Sequence, residues 1–374
     1  MYYNNKLRRK YRIMNIENEL KKDGITVIKQ LDALSTTLIA KFVAEKFISF
    51  FPFSRFRYFD LFTKISNLKM YIADIPEGMS EANYFYKNSS IYFKQGLSIE
   101  DMKELTVHEF IHHFQEIKDA KGNLYRLGLC DFTGIKIHGM ALNEAAVQFI
   151  SSKILKKEKD TVKYYGIEFT TSTPSYYPLL CNLIGQMSYI VGEVVLLDST
   201  LYSNDRFKRA FINLTSESTF HQIEKAFDKI LYAEEKIILA TSCIQKNELN
   251  EKEIAKITSQ IGIYKKVIQD TFIRTQNKIF TSYFNKSLQN LYSVQDIEDY
   301  RKKLYCYKDL LGTTDNYTYF NDYYIYLMSK LDEVYESITG NISLVPYKRS
   351  ILQIIFSKLA KLFGKEPQFQ KLSQ

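Results

Sequence analysis

Apolar residues recur along this chain mostly at steps of three and four, the spacing that keeps them on one face of a helix. Ile25, Ile28, Leu31, Leu34, Leu38 and Phe42 follow it and predict one long amphipathic helix over 25–51, ended by Pro52. Residues 56–65 predict a shorter helix. Residues 69–75 read instead as a strand, and 84–94 as two short strands around an Asn88-Ser89 turn. A helix over 99–118 follows, with Ser98 at its N-cap and Glu100 and Asp101 in its first turn. Residues 121–139 hold Gly122, Gly128, Gly134 and Gly139 and are expected to form a loop. An alanine-rich helix begins after Gly139, and 164–170 add one strand.

Beyond 175 the periodicity is almost wholly helical, over 205–213, 216–231, 234–245, 252–287, 295–311 and 321–338. The longest apolar run, 177–197, is interrupted by Asn182, Gln186 and Glu193. It reads as a buried helix rather than a membrane span, with Glu193 buried against a Lys or Arg. The fold class expected is α+β, predominantly α: a small N-terminal sheet packed on one helix, then a large helical region. The organisation expected is a helical segment over 1–67, a sheet-bearing lobe over 68–160, a helical lobe over 161–246 that completes a cleft, and a helical region over 247–374. In that last region Ile351, Leu352, Ile355, Leu359 and Leu362 share one stripe, away from Lys358, Lys361 and Lys365. Such a basic amphipathic helix docks on its own core, on a partner or on an anionic membrane.

The chemistry is concentrated in the helix after Ser98. Three of the five histidines fall in Val107-His108-Glu109-Phe110-Ile111-His112-His113-Phe114. On a helix His108 and His112 lie about 40° apart, one turn apart, so both imidazoles can reach one Zn²⁺. Glu109 points about 100° away from His108. It does not share the ligand face, yet it can reach a water held at the metal. It is also the one acidic residue from Leu105 to Phe114, in a segment that otherwise reads as core.

A catalytic zinc needs a third protein ligand and one open position. Extension of the motif by a histidine at position 118 is excluded, because that residue is Lys118. Cys130 and His138 are alternatives without supporting context, and His113 points to another helix face. Gly312-Thr313-Thr314-Asp315 is an incomplete aspartate-ligand motif far downstream and reads as a decoy. Glu144 is the leading choice. It is the sole carboxylate between Asp131 and Glu158, on a helix of alanine and apolar residues where an unpaired acid is costly to bury.

The pair His108-Glu109-Phe110-Ile111-His112 and Gly139-Met140-Ala141-Leu142-Asn143-Glu144-Ala145 resembles the zincin metallopeptidases of the gluzincin, thermolysin-like type. The resemblance spans about 68–156. It implies a zinc-dependent peptidase with His108, His112 and Glu144 as ligands and Glu109 as general base. Asn143 matches the family's Asn. Two departures stand out. Glu144 lies 32 residues after His112, longer than is usual, which places the extra length in the connecting loop. Gln148 stands where the family carries an Asp that bonds a ligand histidine; its carbonyl can accept from an imidazole N–H but brings no charge. The family also uses a downstream His or Tyr to stabilise the oxyanion. His221 is the one histidine after the site, whereas 29 tyrosines leave no tyrosine singled out.

Composition changes this picture little. The net charge of +9 permits an acidic partner, but lysines and glutamates mostly alternate and no nucleic-acid-binding signature occurs, so no nucleic-acid partner is expected. The partner expected is a peptide or protein substrate. Cys130, Cys181, Cys243 and Cys306 are widely spaced and form no disulfide framework. The charged N-terminal stretch lacks the apolar core of a secretory signal, so a cytoplasmic location is expected. Two readings compete with the peptidase: a catalytically silent zincin-fold binding or regulatory protein, and a helical protein acting at a membrane surface or on a partner.

Overall fold

A computed structural model describes residues 20–22, 24–51, 56–77, 79–120, 122–132, 139–246 and 249–340. The chain is α+β and predominantly helical, as the periodicity predicts. It divides into two compact units, residues 1–283 with 307–314, and 284–306 with 315–374.

The first unit opens with a strand where a helix was expected. Thr26–Gln30 (β1) pairs antiparallel with Lys69–Asp74 (β2), and the helix α1 spans Ala33–Phe50. The apolar spacing from Ile25 is genuine, but Thr26, Val27 and Ile28 are β-branched and favour extended backbone. The boundary is set by Asp32, whose carboxylate accepts from the Ser35 N–H at 2.8 Å as the N-cap of α1. Pro52, the expected stop, lies outside the described residues. A short helix α2 (Tyr58–Ser66) leads into β2.

Ala82–Phe85 (β3) and Ser90–Lys94 (β4) form the predicted hairpin. The sheet order is β1-β2-β4-β3, with β2 parallel to β4. β3 therefore lies at an edge. The helix α3 (Ile99–Gln115) starts with a reciprocal capping box: Ser98 Oγ accepts from the Asp101 N–H, and Asp101 Oδ2 accepts from the Ser98 N–H. It stops three residues short of the expected end. Glu116 turns extended, and Glu116–Lys118 (β5) joins Leu124–Leu127 (β6) and Cys130–Asp131 (β7) in a small sheet. Part of the expected glycine-rich loop is thus ordered strand.

The helix α4 (Met140–Ile154) crosses behind α3. Val107, Phe110 and Ile111 of α3 and Val147, Ile150 and Ile154 of α4 share one core with Ile39, Val43 and Phe47 of α1 and Ile91 and Phe93 of β4. The Phe47 and Phe110 rings meet edge to face at 5.4 Å. This core fixes the rotation of α3 and α4, and with it the direction of the polar residues on their opposite faces.

The single strand expected at 164–170 is a hairpin, Asp160–Tyr164 (β8) and Ile167–Thr171 (β9). The apolar run folds as two helices, α5 (Pro178–Val191) and α6 (Glu193–Leu201), broken at Gly192 with a bend of 114°. Among the described residues no single helix is long and apolar enough to cross a membrane. Glu193 does pair with Lys153 at 2.8 Å, but its side chain is half exposed rather than buried. The helices α7 (Arg206–Leu214), α8 (Glu217–Lys246) and α9 (Glu251–Leu288) follow. The segments expected at 216–231 and 234–245 run on as one helix, α8.

Gly312 and Thr313, part of the sequence decoy, have a packing role. Thr313 exchanges two backbone hydrogen bonds with Glu168 of β9, and a Cβ at Gly312 would meet Phe272 at 2.6 Å. In the second unit the end of α9 associates with α10 (Val294–Tyr307) and α11 (Tyr319–Thr339). Tyr300 donates to the Phe284 carbonyl, Tyr323 donates to Asn285 Oδ1, and Leu304, Leu327 and Leu331 are buried. The amphipathic segment at 348–365 lies outside the described residues.

Candidate metal centre and its cleft

α3 carries His108 and His112 one turn apart, and α4 brings Glu144 to them. The two Nε2 atoms stand 3.1 Å apart. His108 Nε2 is 3.4 Å from Glu144 Oε2, and His112 Nε2 is 3.4 Å from Glu144 Oε1. Three side chains from two helices thus converge on one point, and the group can hold a metal ion.

The remaining ring nitrogens are held from behind. Gln148, one turn after Glu144 on α4, puts its Oε1 2.8 Å from His108 Nδ1. This is the acceptor role its sequence position allows. Gln115 Oε1 lies 3.2 Å from His112 Nδ1, and the Asn143 and Gln115 side-chain amides exchange two hydrogen bonds of 3.2 Å. With carbonyl oxygens accepting from both Nδ1–H groups, both Nε2 lone pairs are left for the common point. Asn143 Oδ1 also accepts from the Leu129 N–H at 3.0 Å, and Ser203 links the Gly128 N–H to the Gln115 carbonyl. The chain passes very close here. A Cβ at Gly128, whose φ is +58°, would fall 2.2 Å from Asn143 Oδ1 and 2.4 Å from Gln115 Nε2.

Glu109 faces the other way round α3, as its position predicts. It is buried, and its Oε2 accepts from the Tyr84 N–H of β3 at 2.7 Å. Burial raises its pKa, with the neighbouring imidazoles pulling the other way. Burial opposes a charge on His112, but Glu144 and then Glu109 outweigh it and lift the ring to about 9. Burial also opposes the Glu144 carboxylate, yet the two imidazoles hold it well below the usual carboxylate range. The His112 and Glu144 shifts describe a carboxylate that favours positive charge on the imidazoles beside it, whereas burial dominates at Glu109.

The centre lies at the floor of a cleft walled by β3, α3, α4, the segment 172–177 and α8. Since the Tyr84 N–H points at Glu109, the period-two alternation of a strand turns the backbone groups of Ala82 the same way. The lining of the cleft also includes Tyr177. It takes a left-handed conformation, φ +49°, immediately before Pro178, an unfavourable backbone for a non-glycine residue and for one preceding proline. Its phenol pKa is pushed up by burial, then by Glu144 and Glu109, so the hydroxyl keeps its proton.

The other sequence-derived residues fall elsewhere. His221 sits on α8 with its side chain 46% exposed, 3.4 Å from Glu224 and 3.7 Å from Glu217. It is not among the residues that line the cleft, so the expected oxyanion role does not fit it. Helical periodicity places a residue on an element but does not say which end of a 30-residue helix meets the site. Cys130 is buried in β7 with its thiol pushed up to about 12 by burial and nearby acids, beginning with Glu144. His113 packs its Nδ1 on the Tyr84 hydroxyl at 2.9 Å. His138 lies outside the described residues.

Sequence reasoning missed Gln115, Tyr84 and Tyr177. Gln115 had a signal, three residues after His112 on the same helix face. Tyr84 acts through its backbone, and Tyr177 was hidden among 29 tyrosines. Comparison with known protein families, curated proteins and solved structures finds no match to this chain.

Proposed function

We propose that the protein is a zinc-dependent peptidase of the gluzincin type. One observation carries the reading. Donor atoms about 2.0–2.2 Å from a tetrahedral zinc lie about 3.3–3.6 Å from one another. The separations here are 3.1, 3.4 and 3.4 Å, from two neutral-capable imidazoles and one carboxylate. His108, His112 and Glu144 would hold the ion, and all three line the cleft. The amide backing of the two histidines, through Gln148 and Gln115, is the kind of support that orients metal-bound histidines.

Zinc bound there supplies a Lewis acid for the scissile carbonyl and acidifies a water molecule. The chain's own residues do the rest. Glu109, buried and with a raised pKa, accepts the proton of the attacking water and passes it to the leaving amine. The Tyr84 N–H holds the far oxygen of Glu109 and so orients the carboxylate. Tyr177 donates its phenolic proton as a hydrogen bond to the developing oxyanion, the role first sought in His221. The edge of β3 receives an extended substrate by strand addition. The walls exclude part of the water around these groups.

The test compares zinc content and peptide hydrolysis in the full chain and in Glu109→Gln. The expected result is unchanged zinc and lost turnover. Hydrolysis at the wild-type rate by Glu109→Gln would remove Glu109 from the mechanism.

A further inference from the structure

The cleft carries charge of the opposite sign to the chain. The full sequence has a net charge of +9, yet Glu81, Asp101, Glu104, Glu109, Glu144 and Glu235 all line the cleft. Among the described lining residues Lys157 is the one lysine or arginine. Most of these acids have partners. Both oxygens of Glu104 hold the Lys157 ammonium, at 2.8 and 2.7 Å. Asp101 caps α3, and Glu109 and Glu144 belong to the centre. Glu81 and Glu235 remain.

Glu81 immediately precedes the edge strand. Its Oε2 accepts from the Tyr176 hydroxyl at 2.6 Å, and its backbone carbonyl accepts from the Lys94 N–H at 2.8 Å. The side chain is thereby fixed, while its Oε1 has no partner among the described residues. Glu235 is exposed on α8 and lines the same cleft, also without a described partner. An anchored carboxylate with a free oxygen and a second free carboxylate in the lining of one cleft favour a cation there over an anion. Glu81 lies three residues before Tyr84, whose N–H marks the level of Glu109. At about 3.3 Å per residue that is about 10 Å along a strand-paired chain.

We propose that the cleft selects peptides bearing Lys or Arg within about three residues of the bond presented to Glu109, with Glu81 and Glu235 as the specificity-determining carboxylates. The position of the bond rests on the peptidase reading; recognition of the cation does not.

The experiment uses zinc-loaded full-length Glu109→Gln and end-blocked peptides of one length that carry Lys, Gln or Glu at successive positions. Binding is measured at low salt and at roughly 0.5 M salt, where the screening length is only a few ångströms. The expected result is that Lys peptides bind about tenfold or more tighter than their Glu counterparts at low salt, and that the advantage shrinks at high salt. Glu81→Gln and Glu235→Gln should each cut the Lys-over-Gln preference about threefold or more and leave the Gln peptides unaffected. Equal binding of all three series, no binding of any, or a preference that survives both substitutions overturns the proposal. Wild-type cleavage is scored in parallel. Lys-selective binding without cleavage upholds recognition and sinks the hydrolase; cleavage without selectivity does the reverse.

Discussion

The backbone N–H of Tyr84 donates to Glu109 Oε2 at 2.7 Å, joining the edge strand to the buried carboxylate beside the histidine pair. The Tyr84 hydroxyl reinforces the joint by donating to Glu116 while resting against His113. Glu109 is therefore held by the edge strand that lines the cleft. Glu109→Gln keeps this hydrogen bond but cannot take a proton. Its kcat should fall by about 10²–10⁴-fold, with zinc content and the binding of uncleaved peptides preserved. Steady-state kinetics alongside metal analysis check both halves.

Gln148 gives His108 an uncharged acceptor at 2.8 Å. Replacing it with Asp adds a negative charge behind the ring and makes the ligand more basic. Gln148→Asp is expected to tighten zinc binding about tenfold, and Gln148→Leu to weaken it by about 10–100-fold. Competition against a chromophoric chelator reads either change. Equal affinities for all three proteins would show that the amide does not support the ligand.

Tyr177→Phe removes one hydroxyl from the cleft wall. A donor that acts on the oxyanion should show itself in kcat, with a loss of about 10²–10³-fold at nearly constant KM and full zinc content. A rise in KM at constant kcat would assign Tyr177 to ground-state binding instead.

Glu234 gives the fold a pH dependence outside the candidate metal centre. It is 5% exposed, its Oε1 has no hydrogen-bond partner among the described residues, and burial followed by the charge of Glu235 lifts its pKa to about 8. Tyr164, Tyr165, Tyr177 and Cys181 all feel its charge. Between the ordinary glutamate range and about pH 8 the folded protein keeps this proton while the unfolded chain has lost it. Stability therefore falls as pH rises across that window, on the order of a few kcal/mol, and levels off above it. Glu234→Gln should flatten this slope and raise the melting temperature at pH 8 by several degrees, as measured by thermal unfolding from pH 5 to 9.

The metal centre was legible because a helix converts sequence spacing directly into geometry. His108 and His112 needed only the 3.6-residue repeat, and the isolation of Glu144 among apolar residues marked it as an acid in need of a cation. Gln148 was singled out only through the resemblance, as the residue standing where that family carries an Asp. The edge strand and the Ser98 cap were also readable from local signals. Failures came where tertiary contacts decide. The apolar spacing from Ile25 was compatible with a helix until Asp32 and the pairing with β2 fixed a strand. His221 was on a helix, as expected, but on a stretch of it that does not reach the cleft. Tyr177 comes into position through a left-handed turn before Pro178, and Glu235 through the long α8; no spacing rule forecasts either.

The central claim is that His108, His112 and Glu144 together hold one zinc ion. Elemental analysis of the purified full chain beside His112→Ala and Glu144→Gln tests it most directly. About one equivalent of zinc per wild-type chain is expected, falling to near zero in His112→Ala and markedly in Glu144→Gln, with all three proteins folded by circular dichroism. Equal zinc in the three proteins, or none in the wild type after incubation with the metal, would contradict it.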